Sequence, residues 1–191
     1  MTATGHDGPA PGEHRRVRIR RAVSDDAGAI AAVHVRSWQI GYREQLPDIV
    51  LDALAPEQRV PRWTTILSEA AWPSRGVLVA EETTDGALLG FADLRPTRDP
   101  DLDPLSVGEI TSLYVAPQAW RSGVGRRLLD ACTTTLADAG HLSSTLWVLA
   151  GNERAIRFYE ASGWRPDGAT KEDTIAGVDV VELRYRRSLP A

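Results

Sequence analysis

The chain has 191 residues, 42% hydrophobic and 25% charged, which is enough for one globular domain with a sizeable core. Its net charge of −4 is spread over interleaved acidic and basic residues, which speaks against nucleic acid as the main partner. No apolar run approaches the ~20 residues of a membrane span, the first residues lack an apolar signal segment, and the one cysteine, Cys132, has no internal partner, so a cytoplasmic setting is expected.

Residues 1–15 are small, polar and rich in Gly and Pro, and read as a flexible tail ahead of a single domain over 16–191. Val17 to Val23 alternates apolar residues with arginine, as a strand with one wet face does. Ser24 offers an N-cap, with Asp25 and Asp26 in the first turn of a helix that carries Ile30, Val33, Val35 and Trp38 and ends at Gly41. A short second helix, a Pro-marked break and a third piece ending near Ser68 follow. Arg75–Glu82 and Ala87–Leu94 pair as a hairpin about Asp85-Gly86. A loop over 95–107, with three prolines and three aspartates, leads to the strand Gly108–Val115, which Pro117 stops.

From that strand the chain enters a turn containing Gly123 and Gly125, then a helix with the apolar stripe Val124, Leu128, Cys132 and Leu136 that closes at Gly140. The first amides of a helix have no internal acceptor, and the dipole adds about half a positive charge there. With Arg121, Arg126 and Arg127 alongside, the turn suits a phosphate or pyrophosphate. A Rossmann site would need a third glycine where Leu128 stands, and no Walker A sequence occurs. Downstream come a strand over Leu142–Leu149, a helix from Asn152 to Gly163, and strands over Trp164–Thr174 and Val178–Arg187 about Ala176-Gly177. The order is βααβββαβαββ, an α/β arrangement of about seven strands and about four helices.

Two stretches carry a family resemblance. The strand ending in Val115 and Pro117, with Gly123 and Gly125 after it, resembles the V-x-P strand and [QR]-x-x-G-x-[GA] turn of the GNAT superfamily of acyl-CoA-dependent N-acetyltransferases. Trp120 occupies the [QR] position. Asn152, Ala155, Phe158, Tyr159, Gly163 and Trp164 match the later N-x-x-A-x-x-F-Y-x-x-x-G-[FW] pattern in full. The resemblance covers residues 17 to 187. It implies a single-domain GNAT fold with a mixed central sheet, and acetyl-CoA as cosubstrate.

It also implies a site. Leu113, Tyr114 and Val115 would offer a strand edge to pantetheine, which adds like an extra β-strand beside a bulge. Arg121, Ser122, Gly123, Val124, Gly125 and Arg126 would hold the pyrophosphate, and Asn152, Ala155 and Phe158 would complete the cofactor site. Tyr159 would protonate the departing thiolate as general acid. For the base, Glu109 on the central strand is the candidate; Glu81, Glu82 and ordered water are fallbacks. The position where some relatives carry a basic glutamate, five before Asn152, is Trp147 here.

Trp38 and Tyr42 are the candidate acceptor-binding residues, with Leu46 nearby. Asp99, Asp101 and Asp103 are read as a solvated loop rather than an amine lure. His6, His14, His34 and His141 show no ligand spacing, so no metal is expected, and Cys132 and His34 are read as structural. The expected function is N-acetyl transfer to a primary amine of a small molecule or a peptide. The alternative is an acyl-CoA-binding sensor without catalysis. No nucleic acid or membrane partner is expected, and a homodimer, common in the family, is neither required nor excluded.

Overall fold

A computed structural model describes residues 16–175 and 177–190; the tail expected over 1–15 lies outside the described residues, as does Ala176 of the last turn. The elements are β1 (Val17–Arg21), α1 (Ala27–Gly41), α2 (Asp48–Asp52), α3 (Val60–Ser68), β2 (Gly76–Glu82), β3 (Leu88–Pro96), β4 (Val107–Val115), α4 (Val124–Asp138), β5 (Ser143–Leu149), α5 (Glu153–Ala161), β6 (Arg165–Ile175) and β7 (Val178–Ser188). All seven expected strands are present. The helices among the described residues number five rather than about four, because the piece ending at Ser68 is a helix of its own. Pro61 sits in its first turn, where a missing N–H costs nothing, and Trp63 and Leu67, one turn apart, anchor it in the core.

One sheet runs in the order β1-β2-β3-β4-β5-β7-β6. Every neighbouring pair is antiparallel except β4 with β5. On one face α4 buries Val124, Leu128, Cys132 and Leu136, the expected stripe, against Ala92, Leu94, Ile110 and Leu146. On the other face Ile30 and Ala31 of α1 and Trp63 of α3 cover Val77, Val79 and Phe91. Burying such a side chain contributes about 1.5–3 kcal/mol, so the helices are held by these faces rather than by propensity.

The N-cap expected of Ser24 falls elsewhere. Ser24–Asp26 form a 3-10 turn without a side-chain cap from Val23. The Asp26 carboxylate accepts the Val23 amide at 2.8 Å and the Arg20 guanidinium at 2.7 and 2.9 Å. A carboxylate that takes an amide and a bidentate guanidinium together outcompetes a hydroxyl.

Two irregularities make room at the centre of the sheet. β4 and β5 register only as Val107↔Ser143, Gly108↔Ser144 and Glu109↔Thr145; beyond these both strands continue unpaired on that side. On its other edge β4 carries a bulge, since Ile110 faces Leu94 and Ser112 faces Asp93 with Thr111 left over. The buried Asp93 fixes it by accepting the Thr111 hydroxyl at 2.6 Å and the Arg95 guanidinium at 2.7 Å. A bulge bends its strand and sharpens its twist, which turns β4 away from β5.

Candidate active site

The splay opens a cleft of about 990 Å³, with the unpaired edge of β4 from Ile110 to Val115 along its floor. At one end lies the glycine turn. Arg121 has φ 62° and Gly123 φ 84°, two left-handed positions that fold the chain sharply into the first turn of α4. Such a succession aims main-chain N–H groups into one concavity. A Cβ at Gly123 would meet nothing within 4 Å, so its glycine answers to backbone conformation rather than crowding. Gly125 lies against Phe158 and Val115, where an added Cβ would make ordinary contact at 3.5 Å.

The Trp120 departure has a local explanation. Its indole N–H donates to the Val115 carbonyl at 2.7 Å, tying the turn to the end of β4. Its ring receives the Arg154 guanidinium at 3.8 Å from the centroid, a cation–π contact. Arg154 therefore projects from the first turn of α5 into the cleft, with burial lowering its pKa from the usual arginine value. Arg126 is held by Asp130 at 3.0 Å and Arg157 by Glu153 at 2.9 Å. Among the described residues no ion pair joins Arg121 or Arg154 to a carboxylate. This end of the cleft thus carries uncompensated positive charge.

Asn152 caps α5 by accepting the Ala155 amide at 3.1 Å. The cap sets the helix so that Ala155, Phe158 and Tyr159 reach the cleft wall. Tyr159 is 9% exposed, and burial first, then the neighbouring Tyr114, pushes its phenol up from the ordinary tyrosine value. It therefore holds its proton throughout the neutral range. Tyr42 and Tyr114 are likewise raised by burial.

Glu109 lies in the same wall, 3% exposed. Its Oε1 accepts from Arg98 Nη2 at 2.9 Å, and its Oε2 from Arg98 Nε at 3.1 Å and from the Arg98 amide at 3.3 Å. With about two lone pairs per oxygen, Oε1 keeps one acceptor position.

Of the other expected residues, Trp38, Tyr42, Leu113, Tyr114, Val115, Arg121, Gly123, Gly125 and Arg126 also line the cleft. Ser122 and Val124 do not. The Ser122 hydroxyl bonds the Ala119 carbonyl at 2.7 Å, and Val124 is buried in the core, which leaves only their main chain near the turn. The fallback Glu81 of β2 is paired with Arg18 and Arg20 of β1, outside the cleft wall. His34 is packed among Trp38, Trp63, Phe91 and Tyr114, and its Nδ1 accepts the Trp63 indole N–H at 3.2 Å. Burial lowers its pKa to about 4, with Arg59 and Arg62 adding to the effect.

The far end of the cleft holds what the sequence reading missed. Trp147 of β5 has Lys171 above its ring at 4.4 Å and donates its N–H to Asp99 at 3.2 Å. Asp99 is not solvated as expected: with Asp167 and the still half-exposed Asp101 it surrounds Arg184, whose side chain is only 7% exposed. Lys171 pairs with Glu182 at 2.9 Å, and both line the cleft with Arg98 and Trp147. The one local hint was the aspartate-rich loop; its partner arginine is far along the chain.

This geometry has known counterparts. The profile of the Acetyltransferase (GNAT) family matches residues 38–164. The chain belongs to the GNAT acetyltransferase family. The uncharacterized N-acetyltransferase YuaI of Bacillus subtilis (strain 168) is 31% identical over 168 residues, 87% of this chain and 90% of that one. Among solved structures, yncA of Salmonella typhimurium, determined with its cofactor acetyl-CoA, aligns with TM-score 0.68 at 21% identity over 92% of this chain and 95% of its own. The paia N-acetyltransferase of Thermoplasma acidophilum, in complex with coenzyme A, aligns with TM-score 0.64 at 18% identity over 91% and 99%. In this GNAT chain no helix among the described residues is long and apolar enough to cross a membrane. Nor do the described residues set three or more His, Cys, Asp or Glu side chains in a group that could hold a metal ion.

Proposed function

We propose that this GNAT protein transfers an acetyl group from acetyl-CoA to a primary amine of a small molecule or a peptide, with Tyr159 as general acid. The observation that carries the reading is the unpaired β4 edge lying in one cleft between the glycine turn and Tyr159. An exposed strand edge is a row of unpaired N–H and C=O groups, which suits an extended amide-bearing arm such as pantetheine. The turn and first α4 amides, with Arg121 and Arg154, suit the diphosphate end. Acetyl-CoA supplies an activated thioester carbonyl there.

The residues then divide the work. Leu113, Tyr114 and Val115 hold the arm, and a main-chain N–H of this segment polarises the carbonyl. The Val115 carbonyl already accepts from Ser37 and Trp120, so it is fixed in place before any ligand arrives. Tyr159 gives its proton to the sulfur; burial that raises the phenol raises a thiolate beside it as well, so the transfer is not opposed. Trp38 and Tyr42 line the acceptor end.

Glu109, through the free position on Oε1 or one water beyond it, accepts the proton that the amine must lose. A lysine-like amine, pKa ~10.4, is neutral about once in ~10³ molecules at pH 7, a cost of roughly 4–5 kcal/mol; an α-amine near ~8 demands far less. Calorimetric titration with acetyl-CoA tests the reading, and no binding at millimolar ligand ends it. The grip of Arg98 on both Glu109 oxygens favours one other reading, a non-catalytic acyl-CoA sensor. Following thiol release across a panel of amines separates the two, since saturable turnover with any acceptor excludes the sensor.

A further inference from the structure

Lys171 is the chain's only lysine; every other member of its 22 Lys and Arg residues is arginine. That single amine stands in the cleft that also holds Glu109 and Tyr159. It projects from β6 opposite Glu182 of β7, and Glu182 in turn faces Leu149 at the end of β5. Its ammonium therefore lies over Trp147, on the stretch of β5 that has parted from β4. The side chain is 44% exposed and, among the described residues, is held by the Glu182 pair and the indole face, so it can swing.

As a structural device this lysine is a poor choice. A half-exposed ion pair contributes little, and arginine, which this chain uses for its more shielded pairs at Arg20 and Arg184, binds a carboxylate through two donors and stacks better on a ring. What lysine offers and arginine lacks is an amine that can give up its proton and attack a carbonyl.

We propose that Lys171 is an internal acceptor: the protein acetylates its own Lys171 Nζ from acetyl-CoA in the cleft. This rests on the reading of the cleft as an acetyl-CoA site. The ammonium first releases one proton to solvent. Nζ then forms a bond to the acetyl carbon, the carbon–sulfur bond breaks, and the nitrogen's second departing proton balances the one that the thiolate takes to become free thiol. The products are a neutral amide, coenzyme A and one proton. The amide keeps neither the Glu182 pair nor the cation–π contact with Trp147. A carboxylate and an open indole face are then left at the acceptor end for an incoming ammonium.

Intact-mass spectrometry tests this, starting from unmodified protein incubated with acetyl-CoA. The expected result is one saturating increment of about 42 Da, mapped to Lys171, with a rate independent of protein concentration. In Lys171→Arg it is absent, and in Tyr159→Phe it forms at least ten-fold more slowly. An increment that persists in Lys171→Arg, or that forms as fast on urea-unfolded chain, overturns the proposal. Calorimetry on the same samples separates the two layers. Acetyl-CoA binding without an increment removes Lys171 as acceptor and leaves the proposed function standing; no binding removes both.

Discussion

Tyr159 and His34 are both buried, and burial does opposite things for them. A phenol is neutral when protonated, so removing it from water keeps the proton on; an imidazole is neutral when deprotonated, so the same removal takes the proton off. For Tyr159 this maintains the acid form that the proposed chemistry uses. Tyr159→Phe is expected to keep coenzyme affinity by calorimetry while slowing turnover ten-fold or more, on the ~10²–10⁴ scale of acid catalysis; an unchanged rate across pH would remove the role. For His34 the consequence is stability. The folded protein refuses, down to about pH 4, a proton that the unfolded chain accepts near ~6.5. Its contribution is intact above pH 6.5 and is lost as pH falls toward 4, about 3 kcal/mol in all. His34→Gln keeps an acceptor for Trp63 and does not titrate. Urea midpoints at pH 7 and 4.5 should therefore fall less for the variant than for the parent, and parallel losses would contradict the assignment.

At the scale of elements, the glycine turn depends on conformation and the bulge depends on side chains. Gly123 at φ 84° needs the left-handed region, which costs an alanine roughly 1–2 kcal/mol although space is available. Gly123→Ala should lower the unfolding free energy from urea titration by that amount and weaken acetyl-CoA binding at least ten-fold. Equal affinity in the folded variant would show that the turn does not grip the ligand. The turn was legible in the sequence because two glycines ahead of an apolar helical stripe state a local backbone requirement. The bulge at Thr111 was not. It depends on Asp93 of β3 and Arg95 beside it, and only the register of two strands brings these to β4. Likewise α3 was read as a fragment, because prolines at its start resemble a break until Trp63 and Leu67 find the core.

Across the whole molecule, Arg184 joins parts that are distant in sequence. Its buried guanidinium takes Asp99 and Asp101 from the β3–β4 loop and Asp167 from β6, and through Asp99 it steadies Trp147. Removing one partner of a buried ionic cluster costs about 3–5 kcal/mol, because the carboxylates left behind are uncompensated; in a chain of this size that is about 10 °C in melting temperature. Arg184→Met should show that drop by scanning calorimetry. In the folded variant the acceptor KM should rise while coenzyme affinity stays put, since the network frames only the acceptor end. A coenzyme affinity that falls in parallel would mean that the cleft's two ends are not independent.

The sequence alone determined the strands in their order, the helices other than α3, the α4 stripe, the glycine turn and the Asn152-to-Trp164 segment with its tyrosine. Each is a local requirement, set by side-chain period, by a positive φ or by a helix end, and neighbouring residues are enough to express it. Only the tertiary structure decided that β4 parts from β5 after Glu109, that Arg98 takes that carboxylate, and that Trp147, Lys171, Glu182 and Arg184 meet at the far end of the cleft. Those contacts follow from the pairing of β5, β6 and β7 and from a loop folding back on them. Antiparallel register sets which distant residues become neighbours, and no periodicity within a single segment encodes it.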